Sequence, residues 1–405
     1  MNAALYTPKT ERGFIALILS ILLSACGQGY IINDTQSAEL PENNEPEHVN
    51  ESMTTSKAPA NQTGQVSVPT VVELGDCPVN VSTNGTLECK RLAVSCGGYD
   101  QTEVRVRIHS PNTRIAPAGT IIFGSGGTGT NWVYNPSNPD NKIHTAMNRL
   151  LDGGYTLVER AWADGWWGVG QAGDGLVGPA CRYIELAKWI KGNIHSQGGF
   201  CAMGNSGGSS EIAYGLTHWN GDAVFDFTLL SGGPPMGNIA KGCFPNQVPN
   251  WKNQCLNLWN QYGHADACGR LDIDPIVMND PNYSGPVVAS DSACGYASAQ
   301  SAEFDAAFAT PNQPSICSTQ TPGTSTYLAH ESVLSPNAVY DYPSTDMHFI
   351  FGTADCTEAA LLGKLYVKKI TSQRTMEHLD GVVHSIWKDL HGAKRAQQIL
   401  KNRCH

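Results

Sequence analysis

The sequence predicts an α/β fold in which a mostly parallel central sheet is flanked by helices. Short apolar runs alternate with stretches of helical periodicity along much of residues 76–405, a pattern typical of parallel strands joined by helices. Hydrophobic residues make up 41% of the 405 residues, which is enough for a sizeable core. The 42 glycines and 23 prolines indicate that many loops accompany this core.

The individual elements follow from hydrophobic periodicity. The predicted strands are short apolar or alternating runs: Glu103–His109, Gly119–Phe123, Tyr155–Trp162, Gly199–Met203, Val224–Leu230, Met347–Phe351 and Arg374–Leu379. The predicted helices repeat apolar residues every three or four positions: Ile143–Leu151, Arg182–Ile194, Ser209–Trp219, Glu358–Leu365 and a last helix from about Ile386 to Leu400. Residues 232–343 break this rhythm with many Pro, Asn, Gly and Ser residues and five cysteines, which predicts a disulfide-braced insertion of the cap or lid type between later strands.

Residues 1–25 are predicted to be a signal peptide. Lys9 and Arg12 precede the apolar stretch Phe14–Leu23, which is too short to cross a bilayer but has the size of a signal-peptide core. It ends in Leu23-Ser24-Ala25-Cys26, which resembles the lipobox of bacterial lipoproteins. The resemblance implies export and a lipid on Cys26. The lack of an Asp after this cysteine favours the outer membrane, and the cell surface or the periplasm is the alternative location. An ordinary signal peptide cleaved nearby is the alternative.

Residues 26–75 are predicted to form a disordered tether, followed by one globular domain over residues 76–405. Residues 27–65 contain six acidic side chains and one lysine, and the tether has few large apolar residues. Such a segment cannot bury enough surface to offset the entropy that ordering would cost. The whole chain has a formal net charge of −10 and no basic stripe, which excludes nucleic acid as an expected partner.

The cysteines indicate disulfides rather than a metal site. There are 13 cysteines, and 12 remain once Cys26 is set aside for the lipid. An even number in an oxidising compartment predicts six disulfides, although the sequence does not reveal their pairing. Zinc is the alternative, but neither Cys-x-x-Cys nor His-Glu-x-x-His occurs, and neither a metal ion nor a cofactor is expected.

The strongest chemical signal is Gly204-x-Ser206-x-Gly208, which lies between a predicted strand and a predicted helix. A serine on such a tight turn has strained backbone angles and crowded neighbours. Glycine two residues to either side removes the Cβ atoms that would clash. The turn directs the Ser206 hydroxyl away from the sheet, where the helix N-terminus adds a favourable dipole. Ser206 is therefore the predicted nucleophile, and an ordinary Gly/Ser-rich loop is the alternative.

With this motif the chain resembles the α/β-hydrolase superfamily over roughly residues 100–400. The resemblance implies an α/β-hydrolase fold and a catalytic triad in the order serine, acid, histidine. Asp355 follows a late predicted strand and is the predicted acid. Asp346, which precedes that strand, and Asp380, which follows the next one, are weaker alternatives.

The general base is expected in the loop after the last strand. His384 lies in that loop, at the start of the final helix, and is the predicted base. Among the other histidines that follow the acid, His378 falls within a predicted strand, His391 within the last helix, and His405 at the last position. In the reaction that the resemblance implies, the imidazole takes the serine proton and returns it to the leaving group while the acid orients the ring.

The resemblance also implies backbone N–H groups that bind an oxyanion. Gly207 follows the nucleophile and would supply one, and Gly126 or Gly127 in the loop after an early strand would supply another. The same loop, Gly124-x-Gly126-x-x-Gly129, matches a dinucleotide-binding fingerprint. That motif must open a helix, whereas the residues that follow it include Pro136 and Pro139, so a nucleotide cofactor is disfavoured.

The predicted function is ester hydrolysis by a lipid-anchored serine hydrolase. Trp166 and Trp167, in a Gly-flanked loop near the active-site edge, are candidate substrate-binding residues, with packing against the insertion as the alternative. The expected partners are a small-molecule or polymeric ester and the membrane that receives the lipid. An extracellular peptidase or amidase with the same triad is the first alternative, and a non-catalytic surface-binding module is the second.

Overall fold

The computed structural model describes residues 70–97, 99–112, 114, 116–138, 141–166, 175–239, 323–355 and 358–405. All of these described residues belong to one compact unit. The predicted signal peptide, the predicted lipidation site Cys26, Trp167 and most of the predicted insertion lie outside the described residues. No helix in the described part of the chain is long and apolar enough to cross a membrane.

One sheet of nine strands forms the centre of the molecule. The strands are β1 (Thr70–Asp76), β2 (Thr86–Cys96), β3 (Tyr99–Ser110), β4 (Gly119–Gly124), β5 (Tyr155–Trp162), β6 (Gly199–Asn205), β7 (Phe227–Ser231), β8 (Asp346–Gly352) and β9 (Arg374–Leu379). Their order across the sheet is β1-β2-β3-β5-β4-β6-β7-β8-β9. The first three strands pair antiparallel, and β5, β4, β6, β7, β8 and β9 run parallel to one another. The carboxyl ends of these parallel strands therefore lie at one edge of the sheet.

Helices cover both faces of the sheet. The described helices are α1 (Ile143–Asp152), α2 (Val177–Asn193), α3 (Gly207–His218), α4 (Thr324–His330), α5 (Glu358–Lys369) and α6 (Leu390–Arg403). One hydrophobic cluster joins α2, α3 and α5 to one face of the sheet. A second cluster joins α1 and α6 to the opposite face. A central strand such as β4 is buried on both sides because Ile122 packs into the first cluster, whereas Ile121 and Phe123 pack into the second.

This architecture confirms the predicted α/β-hydrolase fold. The strands β5 and β9 have the predicted bounds, and the other predicted strands and helices are all present with shifted ends. Helix α3 begins at Gly207 rather than Ser209, and α2 begins at Val177 rather than Arg182. The predicted strand at Val224 starts only at Phe227, because a short 3-10 turn, Gly221–Ala223, precedes it.

The folded domain begins earlier in the chain than the sequence predicts. Residues 70–75 were predicted to belong to the disordered tether, but Thr70–Asp76 forms the edge strand β1 and pairs with β2. Most residues of β1 are solvent-exposed, and β1 therefore lacks the apolar alternation that reveals a half-buried strand. The backbone hydrogen bonds to β2 define it instead.

Three disulfides link described cysteines: Cys77–Cys89, Cys96–Cys181 and Cys201–Cys404. The other cysteines of the predicted six pairs lie outside the described residues. The Cys201–Cys404 bond closes a sequence separation of 203 residues and joins strand β6 to the end of helix α6. Closing so long a loop stabilises a fold by about 5 kcal/mol through the lost entropy of the unfolded chain.

Candidate active site

Ser206 occupies a strained turn between β6 and α3. Its backbone angles are φ 55° and ψ −120°, and it is one of two described residues other than glycine with a positive φ. Such a conformation costs about 1–3 kcal/mol and persists where surrounding contacts enforce it. Here the Ser206 N–H donates to the Ser231 carbonyl at 2.9 Å, and the Ser206 carbonyl accepts from the N–H groups of Ser209 and Ser210. The turn is the nucleophile geometry that the sequence motif predicts.

Gly204 and Gly208 are required because neither position has room for a Cβ atom. A Cβ atom on Gly204 would lie 2.3 Å from the carbonyl carbon of Gly208, and one on Gly208 would lie 2.4 Å from the carbonyl oxygen of Gly124. Both distances are far below van der Waals contact. The Gly-x-Ser-x-Gly spacing therefore permits strand β6, helix α3 and the loop after β4 to meet at the serine.

The predicted acid and base lie in hydrogen-bond contact. Asp355, in the turn after β8, is 2% exposed. Its Oδ2 atom lies 3.0 Å from Nδ1 of His384, which follows β9. Because an ionised carboxylate only accepts, Nδ1 carries the proton and Nε2 is the basic nitrogen of the ring. This arrangement orients the imidazole as a general base requires.

The structure explains why these loops meet. The Ala354 N–H donates to the Val382 carbonyl at 3.0 Å, which joins the turn after β8 to the turn after β9. Gly352 lies so close that a Cβ there would be 1.9 Å from the Val382 carbonyl oxygen. The Asn205 side-chain oxygen accepts from the Ser231 hydroxyl and from the Ile386 N–H, which connects the turn between β6 and α3 to the chain just after His384.

The alternative acids, Asp346 and Asp380, and the alternative base His378 contact residues outside the candidate site. Asp346 begins β8 and forms an ion pair with Arg403 at 2.7 Å. Asp380 accepts from the Thr353 hydroxyl at an exposed position. His378 lies within β9, where its ring packs near the Phe351 ring.

Gly232 and Lys364 extend the site beyond the residues that sequence reasoning identified. Gly232, just after β7, has φ +52°, and a Cβ there would lie 3.2 Å from Nδ1 of His384. Lys364 of α5 is 2% exposed, and its Nζ lies 5.6 Å from the centre of the Phe351 ring. Burial lowers the pKa of Lys364 to about 7, and the charge of Asp355 opposes this change. Asp355 thus interacts electrostatically with a buried amine as well as with the imidazole.

The loop after β4, residues 124–129 and here called the glycine loop, lies against the turn at Ser206, here called the nucleophile turn. Strands β4 and β6 are paired with Gly124 opposite Gly204, so the two turns leave the sheet side by side. The position of a Cβ on Gly126 is 3.2 Å from Cβ of Ser206 and 3.8 Å from its Oγ. A Cβ on Gly207 would lie 2.0 Å from the Gly127 carbonyl oxygen and 2.8 Å from its nitrogen. The predicted oxyanion-binding residues are therefore neighbours of the serine hydroxyl.

This loop does not open a helix. The next helix, α1, begins only at Ile143, well beyond Gly129. The dinucleotide fingerprint therefore lacks the helix N-terminus that holds a pyrophosphate. Within the described residues, no three His, Cys, Asp or Glu side chains form a group that could hold a metal ion.

Trp166 is a core residue rather than an open stacking surface. It is 1% exposed, its ring lies 5.4 Å from that of Tyr214, and its backbone N–H donates to the Thr128 carbonyl. The proposed role of Trp166 in stacking on substrate is therefore corrected: its faces are covered by the protein, and it instead anchors the glycine loop. Trp167 lies outside the described residues.

Replacing Gly207 with alanine is expected to disrupt this junction. The added methyl group would overlap the Gly127 carbonyl and force the loop away from Ser206, so kcat should fall by about 10²- to 10³-fold, the loss seen when one oxyanion donor is removed. Gly192→Ala is the matched control, because a Cβ at that helical position meets no atom within 4 Å. Steady-state kinetics of both variants test this, and equal activity would contradict the assigned contact.

No protein-family model and no curated protein sequence matches the chain. Several solved structures are similar to it. Est1E from Butyrivibrio proteoclasticus is 11% identical with a TM-score of 0.41, over 77% of this chain and 96% of that one. An S-formylglutathione hydrolase from Agrobacterium tumefaciens is 11% identical with a TM-score of 0.40, over 82% and 100%. Brefeldin A esterase, a bacterial homologue of human hormone-sensitive lipase, is 11% identical with a TM-score of 0.44, over 80% and 79%. Similarity at this level does not extend to activity, so the chemistry has to be derived from the geometry of the site.

Proposed function

We propose that the protein is a serine hydrolase that cleaves carboxylic esters through an acyl-enzyme. The observation that carries the proposal is the 3.0 Å hydrogen bond between Asp355 and His384 at the sheet edge where Ser206 occupies its strained turn. An oriented imidazole and a serine on a strand-to-helix turn are the parts that nucleophilic acyl transfer needs. The buried carboxylate stabilises the imidazolium that forms during the reaction.

In the acylation half-reaction, Ser206 Oγ forms a bond to the carbonyl carbon of the ester while its proton passes to Nε2 of His384. The carbonyl π-electrons move onto oxygen, and the N–H groups of Gly207 and of Gly126 or Gly127 bind the resulting oxyanion. When the oxyanion collapses, the bond to the leaving oxygen breaks. The imidazolium returns the proton to that oxygen, which releases an alcohol and leaves the acyl group on the serine.

In the deacylation half-reaction, water takes the place of the alcohol. His384 removes a proton from the water as it attacks the acyl carbon, and the same N–H groups bind the second oxyanion. Collapse returns the proton to Ser206 and releases the carboxylic acid. Every proton transfer in this cycle uses a side chain of the protein.

A substrate panel tests the proposal. The purified, oxidised protein is assayed with p-nitrophenyl esters of increasing acyl length and with peptide anilides, beside a Ser206→Ala control. Hydrolysis of esters that depends on Ser206 supports the proposal. Cleavage of anilides in preference to esters identifies a peptidase or amidase, and no serine-dependent turnover of either class identifies a binding module.

We further propose that the enzyme is exported and anchored by a lipid on Cys26, because Leu23-Ser24-Ala25-Cys26 follows a signal-like apolar stretch. Cys26→Ser should abolish incorporation of labelled palmitate and either release the protein from the membrane fraction or leave it unprocessed. This substitution removes the proposed acylation site and leaves the rest of the signal peptide unchanged.

Ser20→Ala is the matched control, since it leaves the lipobox intact, and it should label and fractionate like the wild type. Membrane attachment and maturation that are unchanged in Cys26→Ser would contradict lipidation at this position.

A further inference from the structure

A fully buried ion pair lies behind the glycine loop, and no step of the proposed reaction uses it. Arg160 of β5 and Glu211 of α3 have side chains that are 0% exposed, and Nη2 of Arg160 donates to Oε2 of Glu211. The other carboxylate oxygen accepts from Nε1 of Trp162. Burial raises the pKa of Glu211, and the charge of Arg160 with the two N–H donors acts against that rise.

The two Nη atoms of Arg160 hold both ends of the glycine loop. Its Nη1 atom donates to Oγ of Ser125 at 3.2 Å and to the carbonyl oxygen of Gly129 at 3.0 Å. Its Nη2 atom also donates to the carbonyl oxygen of Ser125 at 3.2 Å. Gly126 and Gly127 lie between these two attachment points. The planar guanidinium fork is suited to holding several acceptors at once in one geometry.

The bond to the Ser125 carbonyl determines the direction of the next amide. In a planar trans peptide unit, the C=O of one residue and the N–H of the following residue point in opposite directions. With its carbonyl held by Arg160, Ser125 presents the Gly126 N–H away from the guanidinium. Gly126 is also the loop residue whose Cβ position lies 3.8 Å from Oγ of Ser206. Rotation of this peptide would break the bond to Arg160 and turn the N–H toward a buried cation.

The ion pair also connects this loop to the nucleophile. Glu211 belongs to α3, the helix that begins directly after Ser206. The Glu211 carboxylate therefore binds the Arg160 guanidinium, which in turn binds the carbonyls of the glycine loop. The nucleophile turn and the loop carbonyls are attached to the same buried charges.

We propose that Arg160 and Glu211 are positioning residues that hold the Gly126 amide in the direction needed to bind the oxyanion. This inference rests on the proposed acyl-transfer function. It assigns the pair a role in the tetrahedral intermediate, where charge develops, rather than in binding the neutral ester.

The double variant Arg160→Met/Glu211→Gln tests the proposal. Removing both charges avoids leaving one of them unpaired, and the glutamine amide oxygen still accepts from Trp162 Nε1. We expect kcat to fall by about 10- to 10²-fold with KM unchanged, since one oxyanion donor is misdirected rather than deleted. The inhibition constant of a trifluoromethyl ketone, which forms a tetrahedral oxyanion on the serine, should rise by the same factor.

The matched control is Arg91→Met/Glu103→Gln, which makes the same chemical change in a bidentate ion pair between β2 and β3. A test variant whose kcat and inhibition constant stay within twofold of this control overturns the proposal. Arg160→Lys is a second test, because it keeps the buried charge but cannot reproduce the fork. If the double variant does not fold, wild-type kcat in Arg160→Lys overturns the proposal, and a loss of about tenfold or more supports it.

Crystal structures of the folded variants separate this proposal from the proposed function. If the wild type hydrolyses no ester, the function fails, but the direction of the Ser125–Gly126 peptide in Arg160→Lys can still be observed. A rotated peptide supports the role of Arg160 in orienting the amide. A peptide in the wild-type orientation overturns it.

Discussion

Replacing Ser206 or His384 with alanine is expected to lower kcat by about 10⁶-fold, and the double variant should lose no more than either single variant. In the proposed mechanism the nucleophile and its base act as one unit, so removing either abolishes the covalent route and leaves only the catalysis that binding and the oxyanion donors supply. Ser206 also has the strained backbone and crowded turn that such a nucleophile requires. The measurement is kcat on the best p-nitrophenyl ester, with active-site titration to exclude wild-type contamination.

A fluorophosphonate probe gives an independent readout of the same prediction. It should label the wild type and fail to label Ser206→Ala, and labelling of His384→Ala should be strongly slowed. His378→Ala is the matched control, because that ring lies within β9 and packs near Phe351. Equal labelling of wild type and Ser206→Ala would refute the assignment of the nucleophile, and an inactive His378→Ala beside an active His384→Ala would refute that of the base.

Asp355→Asn is expected to lower kcat by about 10⁴-fold while the protein remains folded. An asparagine amide cannot stabilise the imidazolium, and its NH₂ group favours the tautomer with the proton on Nε2, where the serine proton has to go. The hydrogen bond at 3.0 Å and the 2% exposure of Asp355 mean that water cannot substitute readily for the carboxylate. The prediction is checked by kcat and KM of the purified variant, after mass spectrometry has shown that the cysteines remain paired.

Asp346→Asn and Asp380→Asn are the controls for this variant. Both carboxylates occur in the same region of the chain, but one forms an ion pair with Arg403 and the other accepts from Thr353 at the surface. Each control should retain kcat within a few-fold of wild type. Near-normal turnover in Asp355→Asn together with a large loss in either control would show that the acid is misassigned.

The residues of the candidate site could be predicted because they lie in short sequence patterns and follow predicted strands. Ser206 lies in a short motif whose glycines are required by contacts of 2.3 and 2.4 Å, and such contacts exclude other residues. Asp355 and His384 then follow from chain order, since each comes just after a parallel strand. Their hydrogen bond could not be read from the sequence, because it depends on how the turns after β8 and β9 pack together.

The features that could not be predicted from the sequence depend on contacts between parts of the chain that are distant in sequence. Gly207 and Gly208 are poor helix formers, so propensity places the start of α3 at Ser209, but space beside the glycine loop requires them. Arg160 and Glu211 look like surface charges in a strand and a helix, and only the fold shows that they are buried together. Thr70–Asp76 follows a polar segment and is mostly exposed, so only its pairing with β2 identifies it as a strand.

The bond between Cys201 and Cys404 has a consequence for the order of events during biosynthesis. A ribosome adds about 5–20 residues per second, so the second cysteine of this pair is made about 10 to 40 seconds after the first. Six other cysteines occur between them in the sequence and become available earlier. The thiol of Cys201 must therefore stay reduced during that interval, or leave an earlier partner by thiol–disulfide exchange. Covalent attachment of the strand that leads to Ser206 must therefore wait until Cys404 is available, whereas Cys77–Cys89 and Cys96–Cys181 can close earlier.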